Sequence, residues 1–151
     1  MTLAERIERD YLEAYKAKDQ QRLDVLRLLK TAAKNRQVEL RKSLEPLDDA
    51  AMLDIIGKQA KQRQDSIEQF TAAGRTDLAD KEAAELVILK VYLPEALSQE
   101  ALEAAVDAAI KATGATDMKG MGAVMQAVMS AHQGQVDGKA LSALVRARLA
   151  G

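Results

Sequence analysis

This sequence is punctuated for helices along its whole length, and the punctuation constrains its fold more than any other feature. Only two prolines occur, Pro46 and Pro94. Each disfavours the α conformation in the residue before it and so stops a helix by local chemistry. Thr2-Leu3-Ala4-Glu5 reads as a capping box, with the Thr2 hydroxyl and Glu5 carboxylate exchanging backbone hydrogen bonds. It opens a first helix running to about Ala17. Asp19 caps a second helix over about 20–43, stopped before Glu45-Pro46. Asp48 or Asp49 starts a third, and Gly74 suits the left-handed position after its end. Thr76 or Asp77 caps a fourth, stopped at Leu93-Pro94. Ser98 caps a fifth over about 99–113, which ends at Gly114. Thr116 or Asp117 caps a sixth over about 118–132, ending before Gly134, and Asp137 caps a seventh over about 138–150.

The spacing predicts an all-α fold. An N-terminal four-helix subdomain over residues 1–93 is followed by a three-helix tail bundle over 94–151, with short loops as bundles require. Composition agrees. Aromatic residues are only 3% of the chain, while apolar residues reach 48%. Strands draw on β-branched and aromatic residues, whereas Ala and Leu favour helices.

Several classes of chemistry lack their residues. There is no cysteine and a single histidine, His132, which reads as a helix-end residue. Thiolate chemistry, disulfides and paired His or Cys metal ligands are therefore not expected. No Gly-x-Ser-x-Gly elbow, Walker loop or dinucleotide fingerprint occurs. No catalytic, cofactor-binding or metal-binding residue is assigned and no cofactor is expected. The charged N-terminus has no apolar signal run, and no segment has the roughly 18 apolar residues of a membrane span. With the absence of cysteine, this leads to the expectation of a soluble, cytoplasmic protein.

Net charge is −1, which by itself points to no polyanion. Its distribution is uneven. Residues 22–42 hold seven basic groups against two acidic ones, a balance of +5, and residues 111–151 hold five against two, a balance of +3. On the second helix, Val25, Leu26, Leu29, Ala32, Ala33 and Leu40 share a face at helical period. Arg27, Lys30, Lys34 and Arg41 cluster opposite, while Arg36 falls among the apolar positions, where it needs an acidic partner. In the last helix, Lys139 and Arg146 share a face, opposite Leu141, Leu144, Val145 and Leu149. Solvated helix faces account for such stripes; phosphate contact is the functional reading. Met121, Val124, Met125, Val128 and Met129 read as core. Met118-Lys119-Gly120-Met121-Gly122 has a Gly-x-Gly with a lysine, but a phosphate cradle normally follows a strand. Close packing is the simpler reading of its glycines.

Longer motifs carry a family resemblance. Lys58-Gln59-Ala60-Lys61-Gln62-Arg63-Gln64-Asp65-Ser66-Ile67-Glu68-Gln69-Phe70, then Ala73-Gly74-Arg75-Thr76-Asp77-Leu78, Glu82-Ala83-Ala84-Glu85-Leu86 and Tyr92-Leu93-Pro94-Glu95-Ala96-Leu97 closely resemble the YqeY family. Met118-Lys119-Gly120-Met121-Gly122-Ala123-Val124-Met125 and Asp137-Gly138-Lys139 extend the resemblance through the tail. That family is similar to the C-terminal region of the B subunit of glutamine-dependent aminoacyl-tRNA amidotransferase, whose catalytic domain has no counterpart here. The resemblance implies two helical subdomains and a link to tRNA. It makes Lys119, Gly122, Gly134, Gly138 and Lys139 candidate binding or packing positions. It also implies that a carbon-nitrogen ligase label attached to such chains is inherited from the larger relative, since fold and activity separate easily.

The expected function is thus a non-catalytic accessory that binds tRNA or another structured RNA. The candidate RNA-binding residues are Lys119, Lys139 and Arg146 in the tail, with Arg27, Lys30 and Lys34 as a second stripe. No DNA and no membrane partner are expected. The alternative is a protein-interaction adaptor docking on an amidotransferase or an aminoacyl-tRNA synthetase through the methionine face or Glu95, Glu100, Glu103 and Asp107.

Overall fold

A computed structural model describes residues 1–42 and 44–150. Among these, all regular structure is helical: α1 (Leu3–Ala17), α2 (Gln20–Glu39), α3 (Asp49–Ala72), α4 (Thr76–Lys90), α5 (Gln99–Thr113), a single 3₁₀ turn (Met118–Gly120), α6 (Met121–Ala131) and α7 (Gly138–Ala150). The chain divides into two compact units, Met1–Leu93 and Pro94–Gly151.

Local chemistry sets most helix starts. Thr2 and Glu5 form the complete capping box on α1. Asp19, Asp48 and Ser98 accept from the third residue onward at the starts of α2, α3 and α5. Asp117 accepts from the Lys119 N–H at 3.0 Å and so opens the 3₁₀ turn that leads into α6. The fourth helix departs from expectation. Its cap position is Arg75, which makes no side-chain cap bond, and Thr76 is already helical. The Arg75 guanidinium instead grips Asp77 at 3.1 and 3.2 Å. That hydrogen bond holds the Asp77 carboxyl below the usual carboxylate range.

The second helix is shorter than its composition suggests. It ends at Glu39, with Leu40 as its cap, and its expected end at residue 43 lies outside the described residues. Arg41 takes a left-handed φ of 57° and so leaves the basic stripe. Leu40 leaves the apolar face and is half exposed. Here the loop toward Pro46 takes over: the Gln37 side-chain amide donates to the Glu45 carbonyl. Arg36 has its acidic partners, Asp54 at 3.0 Å on α3 and Glu39 at 3.7 Å on its own helix.

In the first unit, α1 contributes Ile7 and Ala14 to the core, α2 Val25, Leu26 and Leu29, α3 Met52, Ile55 and Ile56, and α4 Leu89. Asp49 also holds α1 to α3 by accepting from the Leu3 N–H at 2.9 Å. One carboxylate lies within this core. Asp10 sits on the apolar stripe of α1 and is 4% exposed. The Tyr92 hydroxyl donates to it at 2.6 Å, Arg9 donates at 3.1 Å, and Arg22 lies 3.7 Å away. Burial pushes the Asp10 carboxyl up, but these hydrogen bonds and positive charges outweigh it, so the group titrates below the usual range. Burial, then the bond to Asp10, push the Tyr92 phenol well above a free tyrosine. Arg6 stands over the Tyr92 ring, 5.2 Å from its centroid.

The second unit buries Leu102, Val106 and Ala109 of α5, Val124 and Val128 of α6, and Leu141, Val145 and Leu149 of α7. Met121 and Met125 pack against this cluster, while Met129 is 40% exposed. The segment before α5 is tied to the α6–α7 loop, because Gln135 accepts from the Leu97 N–H and its side chain donates to the Glu95 carbonyl.

Candidate functional site

Two turns of α2 carry the densest arrangement of outward-facing cations among the proposed positions. Arg27, Lys30, Thr31, Lys34 and Asn35 follow one another at helical spacing, and Tyr11 of α1 closes their flank. Together they line an open depression of about 440 Å³. Its lining contains three cations and no carboxylate. Lys30 is held from two sides: its ammonium lies 3.0 Å from Glu8 and 4.0 Å from the centroid of the Tyr11 ring. Arg27 makes only a loose contact with Asp24 at 3.7 Å, both half exposed. Lys34 is exposed and has no carboxylate within ion-pair distance among the described residues. Lys30 and Lys34 also line a second groove, of about 420 Å³, together with Glu5, Glu8, Ile7, Ala33, Leu47 and Met52.

Five other cations of the first unit are committed to carboxylates. Arg9 and Arg22 serve Asp10. Arg36 and Lys58 converge on Asp54 at 3.0 and 3.2 Å; burial raises that carboxyl, but the two hydrogen-bonding cations prevail and hold it low. Arg63 is nearly buried between α3 and α4, with its Nε 3.0 Å from Glu85 and 3.9 Å from Glu82. Arg22, Arg36 and Arg63 cross-brace helices, as Lys30 does through Glu8, whereas Arg9 and Lys58 pair within their own helices.

In the second unit, Lys119 is exposed on the 3₁₀ turn and Arg146 is exposed on α7. Neither has a carboxylate partner among the described residues. Lys139 is exposed in the first turn of α7, where its N–H reaches Asp137 at 3.4 Å. Arg148 is paired with Asp107 at 2.8 Å, which also occupies one acid of the alternative acidic surface. The tail glycines differ in role. Gly134 has φ of 79°, a conformation that L side chains adopt only with strain. Gly138 is the first residue of α7. A Cβ on Gly122 would meet nothing within 4 Å, whereas one on Gly120 would stand 2.5 Å from the Ala115 side chain. Close packing therefore demands glycine at Gly120, and space alone does not demand it at Gly122. His132 caps the end of α6. Among the described residues, no group of three or more His, Cys, Asp or Glu stands together to hold a metal ion. No described helix is long and apolar enough to cross a membrane.

Thr31, Asn35 and Tyr11 are the lining residues that the charge pattern does not reveal. The first two were discoverable, since they stand four and eight residues after Arg27 on the same helical face. Tyr11 was not, because only packing brings it beside α2. Asp10 gave a signal as well: with Leu3, Ile7 and Ala14 it forms one helical stripe, so a charge there must be buried with partners.

A family model described as Yqey-like protein matches residues 4–149. The chain belongs to the YqeY family. Similar proteins include two described as "Altered inheritance of mitochondria protein 41, mitochondrial". The one from Lachancea thermotolerans is 35% identical over 104 residues, covering 69% of this chain and 54% of the relative. The one from Eremothecium gossypii is 35% identical over 97 residues, covering 62% and 52%. The chain thus spans about half the length of the curated relatives it matches. Their names correct the expectation of a cytoplasmic protein: they point to mitochondria. That expectation leaned on missing cysteines, and a cysteine-free composition suits any reducing compartment, so it does not single out the cytosol.

Proposed function

We propose that this YqeY-family chain is a non-catalytic accessory that binds tRNA or another structured RNA, chiefly through phosphate contacts. The observation that carries this reading is the depression on α2, with Arg27, Lys30 and Lys34 in its lining and no carboxylate among them. A polyanion gains there by releasing its condensed counterions. Glu8 and Asp24, outside the lining, pair with Lys30 at 3.0 Å and with Arg27 at 3.7 Å, which leaves Lys34 as the lining cation with no carboxylate within ion-pair distance among the described residues. Lys119, Lys139 and Arg146 add a separate set of cationic positions on the tail. The family's similarity to the B-subunit tail of the amidotransferase makes tRNA the first RNA to try.

Fluorescence anisotropy with labelled tRNA across salt tests the reading. Neutralising three phosphates predicts that raising salt from about 50 to 200 mM weakens binding roughly 20- to 40-fold. Lys34→Glu should weaken binding and flatten that dependence. Affinity that is indifferent to salt would count against phosphate contact. A protein partner that survives nuclease treatment of the purified complex would favour the adaptor reading instead.

A further inference from the structure

Resting on that RNA reading, we infer that the depression on α2 accepts a single unpaired nucleotide, so the protein prefers looped or single-stranded RNA over duplex. The depression is open to solvent, and at about 440 Å³ it has room for more than a phosphate group alone. Arg27 and Lys34 stand seven residues apart, about 10 Å along the helix axis. Cations therefore stand at both ends of the lining, with Lys30 and Thr31 between them.

The neutral residues add what a purely electrostatic contact would not use. Asn35 carries a carbonyl acceptor beside an amide donor, and Thr31 carries a hydroxyl that does both. Such groups read the edge of a base, and an asparagine can do so with two hydrogen bonds at once. Both residues are exposed. The Tyr11 ring already has the Lys30 ammonium 4.0 Å from its centroid. It therefore acts as a wall that steadies the cation, and the base is held by its edge and its phosphate. An A-form duplex keeps its bases stacked and offers mainly phosphates and 2′-hydroxyls, whereas loops and single strands can splay a base outward.

The full chain should be titrated with an unstructured RNA oligonucleotide and with a blunt duplex of the same sequence at fixed salt. Wild type should bind the single strand at least about tenfold more tightly. Asn35→Ala should cost about fivefold or more on the single strand, the lower end for losing a two-bond base contact. It should leave the duplex affinity and the salt slope unchanged. Thr31→Val gives a second probe of the same lining. Equal affinity for the two RNAs, with neither variant changing single-strand binding, overturns the nucleotide site and leaves phosphate binding standing. Failure of both RNAs to bind removes both.

Discussion

Removing one oxygen atom from the core of the first unit isolates the worth of its internal carboxylate. Tyr92→Phe keeps the ring and the apolar contacts of a residue that is only 4% exposed. It deletes the 2.6 Å hydrogen bond to Asp10. A hydrogen bond to a charged group contributes about 1.5–3 kcal/mol. Arg9 and Arg22 remain beside Asp10, so the carboxylate keeps other partners and the expected loss is about 2 kcal/mol. For a unit of this size, that lowers Tm by roughly 8–16 °C. The pH dependence follows from the direction of each shift. Asp10 titrates lower when folded, so its contribution is present above the ordinary aspartate value, about 3.9, and is lost as pH falls through the folded value. Tyr92 titrates higher when folded, so its contribution is complete below about pH 10 and is lost as pH rises through the folded value. Urea denaturation of wild type and Y92F across pH should therefore show a constant gap near neutrality that closes at both extremes. The wild-type-minus-Y92F difference spectrum should show tyrosinate only above pH 10. A neutral-pH loss under 0.5 kcal/mol, or a gap unchanged at acid pH, would refute the claim that this bond holds the carboxylate in its charged form.

Five further substitutions have expected outcomes. Gly120→Ala should destabilise the second unit by about 1–3 kcal/mol through overpacking against Ala115, while Gly122→Ala should be neutral or stabilising by up to about 1 kcal/mol; paired urea melts separate them. Ser98→Ala removes the acceptor for the Ala101 N–H and should cost about 1 kcal/mol, read from the same melts. Leu141→Ala, at a fully buried position of α7, should cost about 2–5 kcal/mol. Arg148→Ala should cost under about 1 kcal/mol, because its pair with Asp107 is exposed, and molar salt should erase the difference.

The sequence by itself determined the all-α class and most helix starts. Thr2, Asp19, Asp48, Ser98 and Asp117 each act on backbone groups within one turn, so their effect is written in adjacent letters. The basic stripe of α2 was legible for the same reason, since Arg27, Lys30 and Lys34 share a face whatever surrounds the helix. What each charge does was decided only by packing. Lys30 meets Glu8 across 22 positions, Arg36 meets Asp54 across 18, and Tyr92 meets Asp10 across 82. Tyr11 joins the depression because α1 lies against α2, and Leu40 and Arg41 leave their expected faces because the helix ends at Glu39. Helical period tells which way a side chain leaves its own axis. Which group it finds there depends on how separate axes settle against one another.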